Sequence, residues 1–536
     1  MIKDPYPAGI ASGWRLLNAV EFVADREDEA DVVIVGSGAG GGLAAELLAR
    51  AGLRVIVVEE GPLRSTDDFH MRESEAYPWL YQESAARKTA DKAINILQGR
   101  CVGGSTTVNW TSCFRTPEAT LAFWQSRFGL ATYTSDALRP WFEMVERRLA
   151  VHQWDMPPNV NNLTLRDGAA RLGIATHAIP RNVTRCWNIG YCGTGCPTGA
   201  KQSMLLTTLP AALEHGATIY HGLRAQRLVL SGNGVRLLEC QAMDAQGIHA
   251  RPVRVSLRAR HFVLAGGAIG TPALLMRSAA PDPHQRLGGR TFLHPTVVSA
   301  ALMDGLVEGY AGAPQTIYSD HFLDDRPVDG PYGYKLEVPP LHPVLVATTL
   351  HGFGPAHAAL MRSLPRVQVI LALLRDGFND ASKGGQVRLR GDGTPVLDYP
   401  LDKMLWEGAR RALASMAEIQ FAAGAKRVYA VHEACAGWDD WSAARAGIAA
   451  LEMRPLAMRI VSAHVMGGCG MGMDPRASVT DPTGRHHQLE NVTVADGSLF
   501  PTSVGANPQE SIYGIVARNI SLLAPVLGGQ PAPALA

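Results

Sequence analysis

Residues 31–61 read DVVIVGSGAGGGLAAELLARAGLRVIVVEEG. DVVIVG (31–36) is a β-branched apolar run, the kind that forms a buried parallel strand. The glycine-rich stretch turns the chain, and the Ala/Leu run behind it opens a helix. RVIVVEEG (54–61) is a second buried strand, so the whole is a βαβ unit of about 30 residues. Within it, Gly36-Ser37-Gly38-Ala39-Gly40-Gly41 matches G-x-G-x-x-G. Gly36 permits the tight turn, Gly38 lets the backbone approach a pyrophosphate, and Gly41 lets helix pack on strand. The helix N-terminus turns unpaired N–H groups toward the phosphates. Glu59, at the end of the second strand, is placed to accept hydrogen bonds from ribose hydroxyls. A glycine-rich turn without a ligand is the plainer alternative, but strand, helix and terminal acid together favour a dinucleotide. The motif alone does not separate FAD from NAD.

Outward from this unit, 536 residues exceed what one hydrophobic core supports, so two intertwined domains are expected. Apolar residues make up 46% of the chain, which suits a globular protein. Lys plus Arg number 50 against 49 Asp plus Glu, a balance with no footprint for nucleic acid or an anionic membrane. No apolar run is long enough for a transmembrane segment. The opening MIKDPYPAGIASGWRL lacks the apolar core of a secretory signal, and a reducing, cytoplasmic address is expected. Eight cysteines in so long a chain are not a disulfide scaffold.

Residues 120–195 alternate loops with helical pieces such as SDALRPWFEMVERRLAV. Residues 300–460 alternate strand-like runs with amphipathic helix, for example LDKMLWEGARRALASMAEIQFAAG. NVTVADGSLF (491–500) reads as a strand entering a turn, and NPQESIYGIVARNISLL as a terminal helix. Nucleotide-type pieces thus sit at both ends, and no internal repeat appears. The expected fold class is α/β: a Rossmann-like dinucleotide-binding domain (1–120, 197–300 and 461–536) with an inserted α+β substrate or cap domain (121–196 and 301–460).

Two further blocks, GRCVGGSTTVNW (99–110) and LAGGAIGTPALLMRS (264–278), resemble the signatures of the glucose–methanol–choline (GMC) oxidoreductases. So does the pairing of AHVMGGCGMG with VADGSLFPTSVGANPQESI near the C-terminus. The resemblance implies FAD, alcohol oxidation and the two-domain GMC fold, and it leaves an NAD-dependent dehydrogenase without a role for GRCVGGSTTVNW. It carries Arg100, Gly103, Gly104, Ser105 and Asn109 over as FAD contacts. Asp496 and Gly497 carry over near the ribityl chain, Ala225 at the adenine, and Gln509 as a further cofactor contact. Some relatives tether FAD through a His just before the position of Asn109. Val108 stands there, so non-covalent FAD is expected.

Alcohol oxidation needs a group that takes the hydroxyl proton as hydride leaves, and His is best poised for that near neutral pH. His464, in SAHVMGG, matches the family's H-x-x-G position, and Asn507 falls where relatives carry a second His or an Asn. The resemblance therefore makes His464 the base and Asn507 the group that orients the substrate oxygen. The plain reading of His464 is a core histidine. The plain reading of Asn507-Pro508-Gln509-Glu510 is an N-cap, a first-turn proline and a capping-box acid. The helix behind it would aim its positive end at the flavin N1–C2 edge.

His486 and His487, in TGRHHQLENV, read as a solvated turn. No His-x-x-x-His or paired acid cluster suggests zinc, so no metal is expected. CWNIGYCGTGCPTGAKQS (186–203) gathers Cys186, Cys192 and Cys196. Three thiolates there could hold an iron–sulfur cluster. The same stretch resembles GC-x-x-G-x-K-Q-S of the long-chain alcohol oxidase branch, where a packed loop is implied.

The leading functional expectation is FAD-dependent oxidation of an alcohol (a CH–OH donor, first of all a bulky apolar or aromatic primary alcohol) to an aldehyde or ketone, with O2, a quinone or a cytochrome as electron acceptor. A sugar dehydrogenase feeding a cytochrome or quinone is the second reading, and a flavin-bound lyase or photodecarboxylase the third. VQVILALLR (367–375) could line an apolar entrance or form a buried core element.

Overall fold

The computed structural model describes residues 2–531. Met1 and residues 532–536, the outer ends of the expected first domain, lie outside the described residues. Two sheets organise the chain. The first is built from β1 (Arg15–Asn18), β2 (Arg26–Val35) and β3 (Val55–Val58) with segments from much later in the sequence. To follow the chain, β4 (Ile94–Ile96) and β5 (His177–Ala178) belong to the second sheet. β6 (Thr218–His221), β7 (Leu223–Ser231), β8 (Gly234–Met243) and β9 (Ala250–Leu264) return to the first.

The expected parallel pairing is present: Val32 faces Val55 and Val35 faces Val58 across β2 and β3. β9 lies parallel to the other flank of β2, while β7–β8–β9 is an antiparallel meander on one edge. Alternation decides the burial. Val33, Val35, Ile56 and Val58 enter one apolar cluster, and Val32, Ile34, Val55 and Val57 enter another on the opposite face. Helix α1 (Ala39–Arg50) is buried along nearly its whole length. Its small residues let it sit between the sheet and two other helices, α3 (Thr208–Glu214) and α6 (Gln509–Val526).

The second sheet runs β4–β15–β10–β13–β12–β11–β5, where β10 is Thr296–Leu302, β11 Ile317–Ser319, β12 Tyr334–Glu337, β13 Val367–Leu374 and β15 Ile460–Ser462. β14 (Arg427–Ala430) also pairs with β10. α5 (Lys403–Ala422) packs on this sheet through Leu405, Ala409, Ala412, Leu413 and Met416. β13 is buried at every position. Ile370, Ala372 and Leu374 face the α5 side, while Leu371 and Leu373 face a second cluster and also line a large cavity. The apolar run 367–375 is thus core element and cavity wall at once.

Sheet pairing and helix packing cross the boundaries expected from sequence at three places. Ile94–Ile96 pairs in parallel with Ile460–Ser462, and Thr296–Leu302 is central to the second sheet, although both were assigned by sequence to the first domain. Conversely, α2 (Ser135–Arg148), read as cap material, packs on α6. Its Leu138 and Phe142 join the first domain's core. Amphipathicity shows which face of a helix is buried but not which partner buries it. No helix of the described residues is long and apolar enough to cross a membrane.

Candidate active site

A cavity of about 860 Å³ runs from the glycine turn after β2 to the edge of the second sheet. Every cofactor contact expected from sequence lines it except Gly41 and Gly103, which stand one layer behind. Gly36 turns the chain at φ +98°. A Cβ on Gly41 would meet the Gly36 carbonyl oxygen at 1.9 Å, and one on Gly40 the Ala495 oxygen at 1.6 Å. Those two glycines are demanded by helix–strand packing. Gly38 differs: its nearest neighbour would be Gly104 Cα at 3.8 Å, and the space before it is open cavity. This cradle, which a side chain would fill, at the N-terminus of α1, fits a dinucleotide phosphate.

The acid after β3 is tied into the same turn. Glu59 Oε2 accepts from Ser37 N at 3.1 Å and Ser37 Oγ at 2.6 Å, and Oε1 accepts from Gly61 N at 2.9 Å. Burial raises its pKa despite these bonds. Ser37 Oγ also accepts from Gly103 N at 3.0 Å, which joins the two glycine motifs. Arg100 donates to the Gly247 and Gln246 carbonyls and lies 3.7 Å from Glu60. Burial would raise the Glu60 carboxyl, but Arg224, at 3.0 Å, and Arg100 hold it below its ordinary value. Ser105 Oγ accepts from Gly99 N, and Arg277 donates to the Ala225 carbonyl. Asn109 donates to Gln509 Oε1, and Gln509 Nε2 donates to Ser112 O at 2.6 Å.

Asp496 is more of a fastener than a free arm. It accepts from Gly267 N at 2.8 Å, Thr271 Oγ1 at 2.6 Å and Ser498 N at 2.8 Å, and so binds the start of α4 (Gly267–Arg277) to the turn after β16 (Val492–Val494). Its neighbour Gly497 faces the cavity.

At the other end, His464 and Asn507 converge. They are 43 residues apart in the chain, and His464 Nε2 lies 3.5 Å from Asn507 Nδ2. Both line the cavity. Burial, then the charge of Lys335, pushes the His464 pKa down to about 4, so the ring is neutral near pH 7. The capping reading of Asn507 is overturned. α6 begins at Gln509 behind Pro508, with no side-chain cap. The Asn507 amide instead points into the site, donating to Glu337 Oε2 at 3.2 Å. Glu510 is no capping-box acid either: burial, and then its contact with Glu146, raise its pKa.

Sequence reasoning missed three groups behind this pair. Glu337, fully buried on β12, accepts from Asn507 and from Gln315 Nε2 at 2.6 Å, and burial pushes its pKa up to about 7. Lys335, two residues earlier on the same strand face, pairs with Asp320 at 2.8 Å and lies over the Phe114 and Tyr318 rings. His294 Nδ1 is 3.3 Å from His464 Nδ1. Charged residues at i and i+2 of a strand read as a solvent face. Here the whole of β12 is buried, and only the sheet reveals it.

His486 is likewise corrected: it is 5% exposed, not solvated, and burial lowers its pKa to about 4. Cys186, Cys192 and Cys196 are free thiols, and the described residues gather no group of three or more His, Cys, Asp or Glu side chains fit for a metal. The segment is pinned by Lys201, which donates to the carbonyls of Thr107 (2.6 Å), Asn109 (2.9 Å) and Cys192 (2.7 Å).

The chain is similar to proteins of one family. Family models described as GMC oxidoreductase match residues 77–296 and 380–515. A long-chain-alcohol oxidase of Arabidopsis thaliana, FAO4A, is 30% identical over 91% of this chain and 67% of its own length. Among solved structures, pyridoxine 4-oxidase from Mesorbium loti superposes with a TM-score of 0.69 at 19% identity, covering 92% of this chain and 98% of that one. A formate oxidase variant of Aspergillus oryzae RIB40, studied for its FAD modification, superposes at 0.70 with 16% identity over 94% of this chain and 100% of its own.

Proposed function

Since the chain belongs to the GMC oxidoreductase family, we propose that it oxidises a bulky apolar or aromatic primary alcohol to the aldehyde, with non-covalently bound FAD supplying the hydride acceptor. The observation that carries this reading is the meeting of His464 and Asn507 on the wall of the same cavity that the glycine motifs line. Gly36–Gly40 and Glu59 would hold the dinucleotide, with Ser105 and Asn109 farther along the cavity. Val108 lines the cavity and carries no nucleophile, which supports a dissociable cofactor.

His464 and Asn507 are the pair that acts on the alcohol oxygen. Their nitrogens lie close enough to engage one oxygen atom and so to orient the carbon that loses hydride. A neutral His464 is compatible with the proton-acceptor role expected from sequence. Leu371, Leu373, Val465 and Ile512 supply apolar wall nearby, which suits an alkyl or aryl substituent, as does the likeness to long-chain-alcohol oxidases.

The test is stopped-flow mixing of the purified yellow protein with an anaerobic panel of aliphatic, aromatic and sugar alcohols. Reoxidation by air, a quinone or a cytochrome then identifies the electron acceptor. Bleaching by apolar primary alcohols is expected. A flavin that stays oxidised with every alcohol would overturn the proposal, and bleaching by sugars alone would overturn the substrate class.

A further inference from the structure

Glu337 is fully buried on β12, and a buried carboxyl is costly unless its oxygens are used. In the register of the sheet it stands opposite Leu371, and Lys335 stands opposite Leu373, so it points to the same face as two residues of the cavity wall. Lys335 has its own partner in Asp320 at 2.8 Å. Both hydrogen bonds of the Glu337 carboxyl go instead to amides that line the cavity, and both reach one oxygen. Oε2 accepts from Asn507 Nδ2 at 3.2 Å and from Gln315 Nε2 at 2.6 Å, while Oε1 is buried with no partner among the described residues. Gln315 is held at its other end, where its Oε1 accepts from Ser112 Oγ at 2.8 Å.

An asparagine amide has a donor end and an acceptor end of nearly the same shape, so sterics alone do not choose between them. Glu337 Oε2, already accepting from Gln315, admits the donor end. The same Nδ2 faces His464 Nε2 at 3.5 Å, and because an amide nitrogen can only donate, that imidazole nitrogen carries a lone pair. A contact of 3.5 Å is long for a hydrogen bond, which leaves both groups to an oxygen placed between them. Asn507 Oδ1 is buried without a partner among the described residues, so Glu337 supplies the shorter of the two bonds that orient the amide. Turned over, the amide would set Oδ1 against His464. The imidazole would then carry its proton on Nε2, and the lone pair would be gone.

We propose that Glu337 is a positioning residue: it holds the Asn507 amide nitrogen-first toward His464, so that the site offers a substrate hydroxyl one N–H for its oxygen and one imidazole lone pair for its proton. This rests on the alcohol-oxidation reading and adds to it a residue that stands behind the cavity wall. As hydride leaves the carbon, the O–H bond breaks and its proton joins His464 Nε2. The oxygen keeps its hydrogen bond from Asn507 Nδ2 as it becomes a carbonyl.

Neutron diffraction from a deuterium-exchanged crystal of the FAD-loaded enzyme reads the amide directly. Two deuterons are expected on the Asn507 atom that faces Glu337 and His464, and none on His464 Nε2. An amide oxygen facing His464 would overturn the proposal, whether or not any alcohol is oxidised. The second arm is stopped-flow flavin reduction with an alcohol that bleaches the wild type. Glu337→Gln keeps an acceptor for both amides and should lose less than about tenfold. Glu337→Leu should lose about 10²-fold, the scale of a misoriented catalytic group. In an Asn507→Ala background, Glu337→Leu should cost no more than about twofold further, because the amide it acts through is gone. The same loss in both backgrounds, or Gln as damaging as Leu, would sink the assignment. Should Glu337→Leu not hold flavin, the neutron map and Glu337→Gln decide alone.

Discussion

At the scale of single residues, the site depends on neutral groups held in a dry wall. His464→Ala removes the imidazole that faces Asn507. It should retain FAD and lose flavin reduction by alcohol by about 10²–10⁴-fold, as for loss of a general base; a variant that reduces at the wild-type rate would exclude His464 from the chemistry. Glu337 gives a pH-dependent stability signature. Its folded pKa of about 7 lies above the 4.5 of a free glutamate, so between those values the folded state binds the extra proton. Stability is then fully present below about pH 4.5, falls as pH rises to about 7, and stays lowered above it, by roughly 3 kcal/mol. Glu337→Gln cannot ionise, so its Tm advantage over wild type should grow from pH 5 to pH 8 in thermal-shift measurements. An equal difference at both pH values would show that the carboxylate is not the titrating group.

At the scale of elements, the glycine turn separates packing from ligand binding. Gly41→Ala drives a methyl into the Gly36 carbonyl at 1.9 Å and should damage folding itself, seen as insoluble protein or a strongly lowered Tm. Gly38→Ala meets no protein atom closer than 3.8 Å. Its apoprotein should keep the wild-type Tm, while its FAD occupancy, read from the ratio of flavin to protein absorbance, falls. A normal flavin content would mean that the space before Gly38 does not hold the phosphates. The start of α6 shows the limit of local reasoning. Asn-Pro-Gln-Glu has the chemistry of a capped helix, yet no side chain caps α6, and the Asn507 amide nitrogen donates to Glu337 on the second sheet, a contact that no local pattern announces.

At the scale of the whole molecule, one cavity is walled by both sheets and by segments from Val35 to Ile512. A ligand filling it ties those segments together and binds the folded chain alone, so removing flavin by acid ammonium sulfate should lower Tm, and added FAD should restore it in a concentration-dependent way. A Tm that does not respond to FAD would deny the cavity its cofactor. What sequence alone determined is local in origin: the βαβ unit, the parallel β2–β3 pairing, the turn at Gly36 and the packing at Gly41, and the choice of His464 and Asn507, which the fold brings together. Each follows from strand burial, helix opening or short-range turn sterics, or from blocks that resemble a known family. Only the tertiary structure decided that Ile94–Ile96 and Thr296–Leu302 serve the second sheet, that Lys335 and Glu337 are buried, and that His294 stands behind His464. Those facts depend on long-range pairing, and the residues themselves carry no mark of it. A lone His before a strand, or two charges on one strand face, have the same local chemistry whether the next layer is water or another sheet.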